Sequence, residues 1–380
     1  MTNQPQTINT ESGNRPMNPR QDSSRRSFLA GSTAMGILGL AALGAPAARA
    51  NNEKADKLRV GVMNLQVYSH MGIWAPLLQP FTGMRITHCW DINPQVAEGF
   101  AKSYNATAVK NFDGMLGKVD VIISGGYYNN PWNHILHEPY LEAGLPNLIN
   151  RPFANSLAKG TRILELARKH KAPLLVPSSF EHTHAMVQAK TWAKDKKITC
   201  YNATNASDDY ATHGIHGVYI VCRAIAEAGN RVVSVAHQAK NWHSSPAVVT
   251  YEHQAPDGTT FMGTLHLGPF GLGGIRIHTA GQPAGKGFQI EHGTGYPYNK
   301  THLWAPTLWE FESLARGNAP SQSLEQIEQK HKTYMAGFWS ILKQKGSPTR
   351  LDEVPTDWEA PVDIPDLNHQ ETARFRKKFG

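Results

Sequence analysis

From Leu58 onward, short apolar runs alternate with stretches of helical periodicity, and this rhythm restricts the possible fold more than any other feature. The runs cover 58–63, 85–91, 107–109, 119–124, 147–150 and 173–177. Helical candidates separate them at 73–79, 95–104, 134–143 and 159–169, the last with Ile163, Leu164, Leu166 and Ala167 as its apolar positions. A helix-length crossover brings the chain back to the same end of a sheet, so strands joined this way run parallel. Six of them predict a doubly wound α/β layer whose crevice opens at the carboxyl ends of the strands.

After Ser178 the rhythm changes. A helix is expected after His184, a strand at 199–202 and a long helix at 210–227. Alternating runs then follow at 232–240, 247–253, 259–267, 275–279 and 288–291, with Pro256-Asp257-Gly258 as a hairpin turn between two of them. Alternation with period two marks strands with one buried face, which predicts an α+β domain with a large, open-faced, mainly antiparallel sheet. The expected organisation is 57–178 for the α/β domain, 179–344 for the α+β domain, and an extended arm over 345–380, where Pro and Asp accumulate.

The first fifty residues follow another logic. A polar start leads to Ser24-Arg25-Arg26-Ser27-Phe28-Leu29, then a Gly/Ala/Leu stretch to Leu43, then Ala48-Arg49-Ala50. Charge, apolar segment and small-residue cleavage site in that order predict a twin-arginine leader over 1–50 and a periplasmic or exported product, with the twin-arginine export machinery as a partner. The apolar stretch falls short of the roughly 20 residues that span a bilayer. The formal charge of +8 drops to +5 without this segment, which carries five arginines against Glu11 and Asp22. No Lys/Arg block with interleaved aromatics is present, so nucleic acid is not an expected partner. Cys89, Cys200 and Cys222 are odd in number and widely spaced, so they form neither a disulfide framework nor a metal knuckle.

Several segments, in order, resemble the family of glucose-fructose oxidoreductase, inositol dehydrogenase and their relatives (Gfo/Idh/MocA). Asp91-Ile92-Asn93-Pro94 is similar to the acidic end of that family's second strand. Val119-Asp120-Val121-Ile122-Ile123 is similar to its fourth strand, followed by Pro131 and a helix ending Leu141-Glu142-Ala143-Gly144. Asn150-Arg151-Pro152 stands where the family has Glu-Lys-Pro, and Thr212-His213-Gly214-Ile215-His216 resembles the segment carrying its Asp and catalytic His. The resemblance spans nearly the whole chain after the leader. It implies a Rossmann domain holding NAD or NADP, a sheet domain that takes a saccharide, oxidation of a sugar hydroxyl, and a homo-oligomer.

The sequence departs from that pattern at three places. None of the expected turn glycines follows Met63, where Asn64-Leu65-Gln66 stands, so side chains crowd the approach of a pyrophosphate, although Asn tolerates a left-handed turn. Arg151 replaces the lysine, and a guanidinium that keeps its charge serves as an electrostatic clamp on an anion, or as a structural arginine, rather than as a proton carrier. Thr212 replaces the acid one turn before His216, while His213 adds a second imidazole at i, i+3.

His216, Arg151, His213 and Tyr210 are therefore the catalytic candidates, and Asn64, Asp91, Tyr127, Asn129 and Asn150 the cofactor-side candidates. Asp91 reads equally as a ribose acid or as a helix cap. The loop 127–134, with Tyr127, Tyr128, Trp132 and amides, suits either a saccharide or a subunit contact. Glu181, His182 and His184 are alternative metal candidates, though no metal is predicted. Trp304, Trp309 and Trp339 read as core or interface residues. The expected activity is that of an exported NAD(P)-linked sugar oxidoreductase. The alternatives are a carbohydrate lyase or glycoside hydrolase on the same scaffold, uronate-directed through Arg151, and a non-catalytic glycan-binding protein.

Overall fold

The computed structural model describes residues 57–65, 69–127, 130–207, 209–269, 273–290, 300–361 and 369–380, with backbone alone at 300–302 and 369–371. The proposed leader and Asn129 lie outside the described residues. The first part runs β1 (Leu58–Met63), α1 (Met71–Phe81), β2 (Met84–Trp90), α2 (Pro94–Tyr104), β3 (Thr107–Ala108), β4 (Val121–Ser124), α3 (Asn133–Glu142), β5 (Asn147–Ile149), α4 (Leu157–Lys169) and β6 (Leu174–Leu175). Its strands pair in parallel in the order β3-β2-β1-β4-β5-β6. The direction of winding reverses between β1 and β4, which places a crevice above their carboxyl ends.

Local chemistry sets these elements. Every residue of β4 is buried, as in a strand covered on both faces. Asn93 caps α2 by accepting from Gln95 N, Pro94 occupies the first helical position, and Asn105 closes the helix in the left-handed region at φ 51°. Ser156 caps α4 in the same way, accepting from Lys159 N.

The chain continues through α5 (His184–Ala193), β7 (Ile198–Ala206), α6 (Ile215–Ala224), β8 (Arg231–Ala239), β9 (Ala247–Gln254), β10 (Thr260–Gly268), β11 (Gly274–Thr279), β12 (Lys286–Gln289), α7 (Lys300–Ala315), α8 (Leu324–Lys343), β13 (Thr349–Arg350) and α9 (His369–Phe379). The second sheet has the order β12-β11-β7-β10-β9-β8-β13, antiparallel except where β7 meets β10. In β9, Ala247, Val249, Tyr251 and His253 are buried while their neighbours are half-exposed, the pattern of a sheet with one covered face. Helices α6 and α8 cover it, α8 lying on β8 and α6 on β7, β10 and β11. Ahead of α6, residues Tyr210–Gly214 form one wide turn, closed by Gly214 N donating to Asp209 O at 2.7 Å. Both sheets belong to one compact unit, Asp56–Gly380.

The segment read as an extended arm is not extended at its end. β13 joins the edge of the second sheet, and α9 returns to the first. There Phe375 stacks on Trp132 at 5.0 Å and meets Trp90 edge-on at 6.4 Å, while Phe379 meets Phe112 at 5.7 Å. Phe375 and Phe379 lie one turn apart among Arg and Lys, an apolar pair too short to stand out behind the Pro- and Asp-rich stretch. Among the described residues no helix is long and apolar enough to cross a membrane.

Candidate active site

Four loops at the carboxyl ends of the parallel strands, together with α6, gather one buried cluster. His70 immediately precedes α1, Tyr127 follows β4, Arg151 follows β5 and Ser178 follows β6, while His216 is the second residue of α6. Arg151 is 1% exposed and His216 4%. The Arg151 Nη2 lies 2.9 Å from His216 Nε2 and 3.1 Å from His70 Nε2. A guanidinium only donates, so both ring Nε2 atoms accept, and each neutral ring carries its proton on Nδ1. His216 Nδ1 then donates to Ser178 Oγ at 2.6 Å. The ring of Phe180 stacks on His216 at 4.5 Å, and the ring of Tyr127 lies 4.4 Å beneath the Arg151 guanidinium.

Burial, and next the Arg151 charge, push His216 well below the ordinary histidine value, and the same two causes act on His70. Both imidazoles are therefore neutral at physiological pH. The arrangement offers a neutral base at His216, oriented from behind by a hydroxyl, beside a fixed cation.

Backbone contacts hold the cluster in place. Gly125 O accepts from His70 N at 2.9 Å and from Asn150 Nδ2 at 2.7 Å, and Asn150 Oδ1 accepts from Arg151 N at 2.9 Å. A Cβ on Gly125 would stand 2.4 Å from Met71 Cγ and 3.0 Å from Met71 N, so only glycine permits this approach to the start of α1. On the other side, Ser178 opens a capping box. Its Oγ accepts from Phe180 N at 3.2 Å, and its own N donates to Glu181 Oε2 at 2.6 Å. Glu181 is itself fixed by the fully buried Lys330, whose Nζ lies 2.9 Å from Glu181 Oε1, from Gln322 Oε1 and from Val176 O.

Of the catalytic candidates, the structure brings Arg151 and His216 together and leaves the other two outside. Tyr210 is a core residue: its hydroxyl donates to Tyr334 O at 3.2 Å, its ring stacks on Tyr334, and burial raises its phenol above the ordinary range. His213 lies near enough to lower His70 and His216, but its side chain is 52% exposed and pairs with Asp209 at 3.3 Å. Asp209 also accepts from Thr212, so it serves the start of the helix rather than His216.

On the cofactor side, Asn64 adopts φ 59°, making the left-handed turn without glycine, and its Nδ2 donates to Ser124 Oγ at 2.8 Å. Asp91 takes the capping role: Oδ2 accepts from Leu65 N at 2.7 Å and Oδ1 from Asn93 N at 2.8 Å. Of the loop 127–134, Tyr127 reaches the cluster, while Trp132 packs under α9 and Asn133 Nδ2 donates to Phe153 O.

The metal alternative loses its ligands. Glu181 is engaged by Lys330, and His184 is exposed at the start of α5. No group of three or more His, Cys, Asp or Glu among the described residues could hold a metal ion. Trp304, read as core or interface, instead faces the site, its ring 4.4 Å from that of His70.

His70, Ser178, Phe180, Gly125 and Trp304 were not singled out as site residues from sequence. Two signals were available: the Ser178-Ser179-Phe180-Glu181 capping box, and the Gly125-Gly126 pair directly after β4.

Residues 35–178 match the model of the oxidoreductase family with an NAD-binding Rossmann fold, GFO_IDH_MocA. The whole fold is shared with solved structures. Apo scyllo-inositol dehydrogenase from Lactobacillus casei superposes with a TM-score of 0.64 at 11% identity, over 78% of this chain and 99% of that one. A probable dehydrogenase from Thermotoga maritima gives 0.64 at 15% identity, over 78% and 100%. Myo-inositol dehydrogenase from Lactobacillus casei, in complex with NAD(H) and myo-inositol, gives 0.63 at 12% identity, over 80% and 99%. No curated protein matches the sequence.

The crevice offers polar groups suited to a dinucleotide, though by other means than a glycine turn. Buried polar atoms with no hydrogen-bond partner among the described residues collect above β1 and β5, namely Asn64 Oδ1 and Arg151 Nε and Nη1. A polar ligand would satisfy them, and Asn64, on the turn after β1, is the residue that would hold the dinucleotide. Asp91, bonded to two backbone amides, contributes by shaping the turn.

Proposed function

We propose that this protein is an exported oxidoreductase that transfers a hydride between NAD(P) and a hydroxyl-bearing carbon of a sugar or cyclic polyol. The observation that carries the reading is the Arg151–His216–Ser178 relay, buried at the switch point of a fold whose family binds NAD. The cofactor, when bound, supplies the hydride acceptor. His216 is the base that takes the hydroxyl proton at Nε2, the nitrogen that now accepts from Arg151. Ser178 holds the opposite nitrogen and so keeps Nε2 in its accepting form. Arg151 opposes protonation of the resting imidazole and stabilises the alkoxide that forms as the proton leaves. Tyr127, Phe180 and Trp304 supply aromatic walls suited to the C–H faces of a saccharide.

The leader and an oligomer built on the open face of the second sheet complete the proposal. Support for the leader comes from the order of features in 1–50, and support for the oligomer from the half-exposed residues of that face.

The test is reduced-nicotinamide absorbance with purified protein and a panel of sugars and cyclic polyols. Turnover should be measurable with at least one of them and should fall at least a thousandfold in His216→Ala, in line with the loss of a general base and its orientation. Saccharide binding without any redox turnover would sink the reading. A second reading, a lyase that works without exchangeable cofactor, draws support from Asp91 being tied to Leu65 and Asn93. An unsaturated product formed without NAD would favour it.

A further inference from the structure

Arg151 differs in one respect from Arg223, the other buried arginine among the described residues. Arg223, 5% exposed, pairs with Glu227 at 2.6 Å. Arg151 is more deeply buried, yet none of the ion pairs among the described residues includes it. Its Nη2 hydrogens go to two neutral imidazoles, which bring no negative charge, and Nε and Nη1, over the ring of Tyr127, meet no carboxylate or carbonyl acceptor among the described residues. The positive charge and three N–H donors thus lack an anionic partner and meet only the face of Tyr127 in a site walled by aromatic rings.

An uncompensated buried cation is among the most expensive features a fold can carry, and it is tolerated where a ligand supplies the countercharge. A neutral sugar supplies none. A carboxylate does, and it accepts the short, charge-assisted bonds that a guanidinium favours. The cation sits on the same relay as His216, so the countercharge belongs on the molecule that reacts there.

Resting on the oxidoreductase reading, we propose that the substrate is a sugar acid, a hexuronate or hexonate, whose carboxylate binds the Nε and Nη1 donors of Arg151. A dinucleotide pyrophosphate offers the same oxyanion chemistry, and the test separates the two sources.

Calorimetry on the full-length folded protein compares a panel of hexuronates and hexonates with their methyl esters, and with NAD+ alone. At least one free acid should bind ten times or more tightly than its ester, and Arg151→Gln should erase that difference. The comparison of acid with ester needs only the wild-type protein, so it decides the matter even if Arg151→Gln fails to fold. Equal binding of acid and ester, binding of no acid in the panel, or a preference that survives in folded Arg151→Gln would each overturn the proposal. So would loss of NAD+ affinity alone in Arg151→Gln with acid and ester binding alike, which would assign the cation to the pyrophosphate. Acids that bind but are never oxidised would contradict the oxidoreductase reading and leave the carboxylate site standing.

Discussion

In the proposed chemistry Arg151 and His216 act as a pair, each setting what the other can do. The guanidinium donates to His216 Nε2 and keeps the ring neutral, second only to burial itself. Replacing Arg151 with Gln removes the cation, so the His216 titration should move upward, toward the ordinary histidine value. Ring-nitrogen NMR across a pH series reads this directly, and an unmoved titration would show that the charge is not felt at the ring. Residue by residue, the sequence disclosed the two ends of this pair, because each stood in a segment with a recognisable order. It did not disclose Ser178 or His70, which lie 38 and 81 residues from the partners they meet. Asp91 was ambiguous for a physical reason: an acid that caps a turn and one that binds a ribose occupy the same place after β2.

Among the elements, α9 shows how a short apolar pair can reorganise one end of a sheet. Phe375, 2% exposed, stacks on Trp132 and touches Trp90, the last residue of β2. Phe375→Ala should cost about 3 kcal/mol if α9 stays docked around the cavity. Less would be lost if the helix undocks on its own, and Trp90 and Trp132 would then become exposed. Urea denaturation combined with tryptophan emission distinguishes the two, and a variant unchanged in both would remove α9 from the core. The parallel strands were legible because buried runs and helix-length crossovers are local patterns. The return of α9 was not, because it depends on a tertiary surface made by residues of β2 and of the loops after β3 and β4. The wide turn at Tyr210–Gly214 also escaped notice, since it looks like ordinary helix in sequence.

At the level of the whole molecule, seven histidines among the described residues are buried and held below the ordinary value. Burial lowers His137, His237 and His331 to about 4 and His253 to about 3, and holds His70, His182 and His216 well below 6.5. Each has a folded value below its unfolded one, so its contribution is complete above about pH 6.5 and is lost as the pH falls toward about 4. The unfolded chain takes up protons first, at about 1 kcal/mol per pH unit for each such histidine. Urea midpoints should therefore drop steeply between about pH 7 and about pH 5. A flat profile across that range would mean that these rings are protonated in the folded state. Composition gave the eighteen histidines, but not which of them the fold would bury.

In the proposed reading the crevice holds NAD(P) at a turn made by Asn64 in place of glycine, which leaves Arg151 to the substrate. Mass analysis of the small molecules released when the purified, folded protein is denatured tests it most directly. NAD(H) or NADP(H) should come off at close to one per chain, or be taken up stoichiometrically after incubation with the dinucleotide. Both should be markedly reduced in Asn64→Asp, which keeps the left-handed turn but sets a negative charge against the pyrophosphate. Repeated preparations that release no nucleotide and take none up would contradict it.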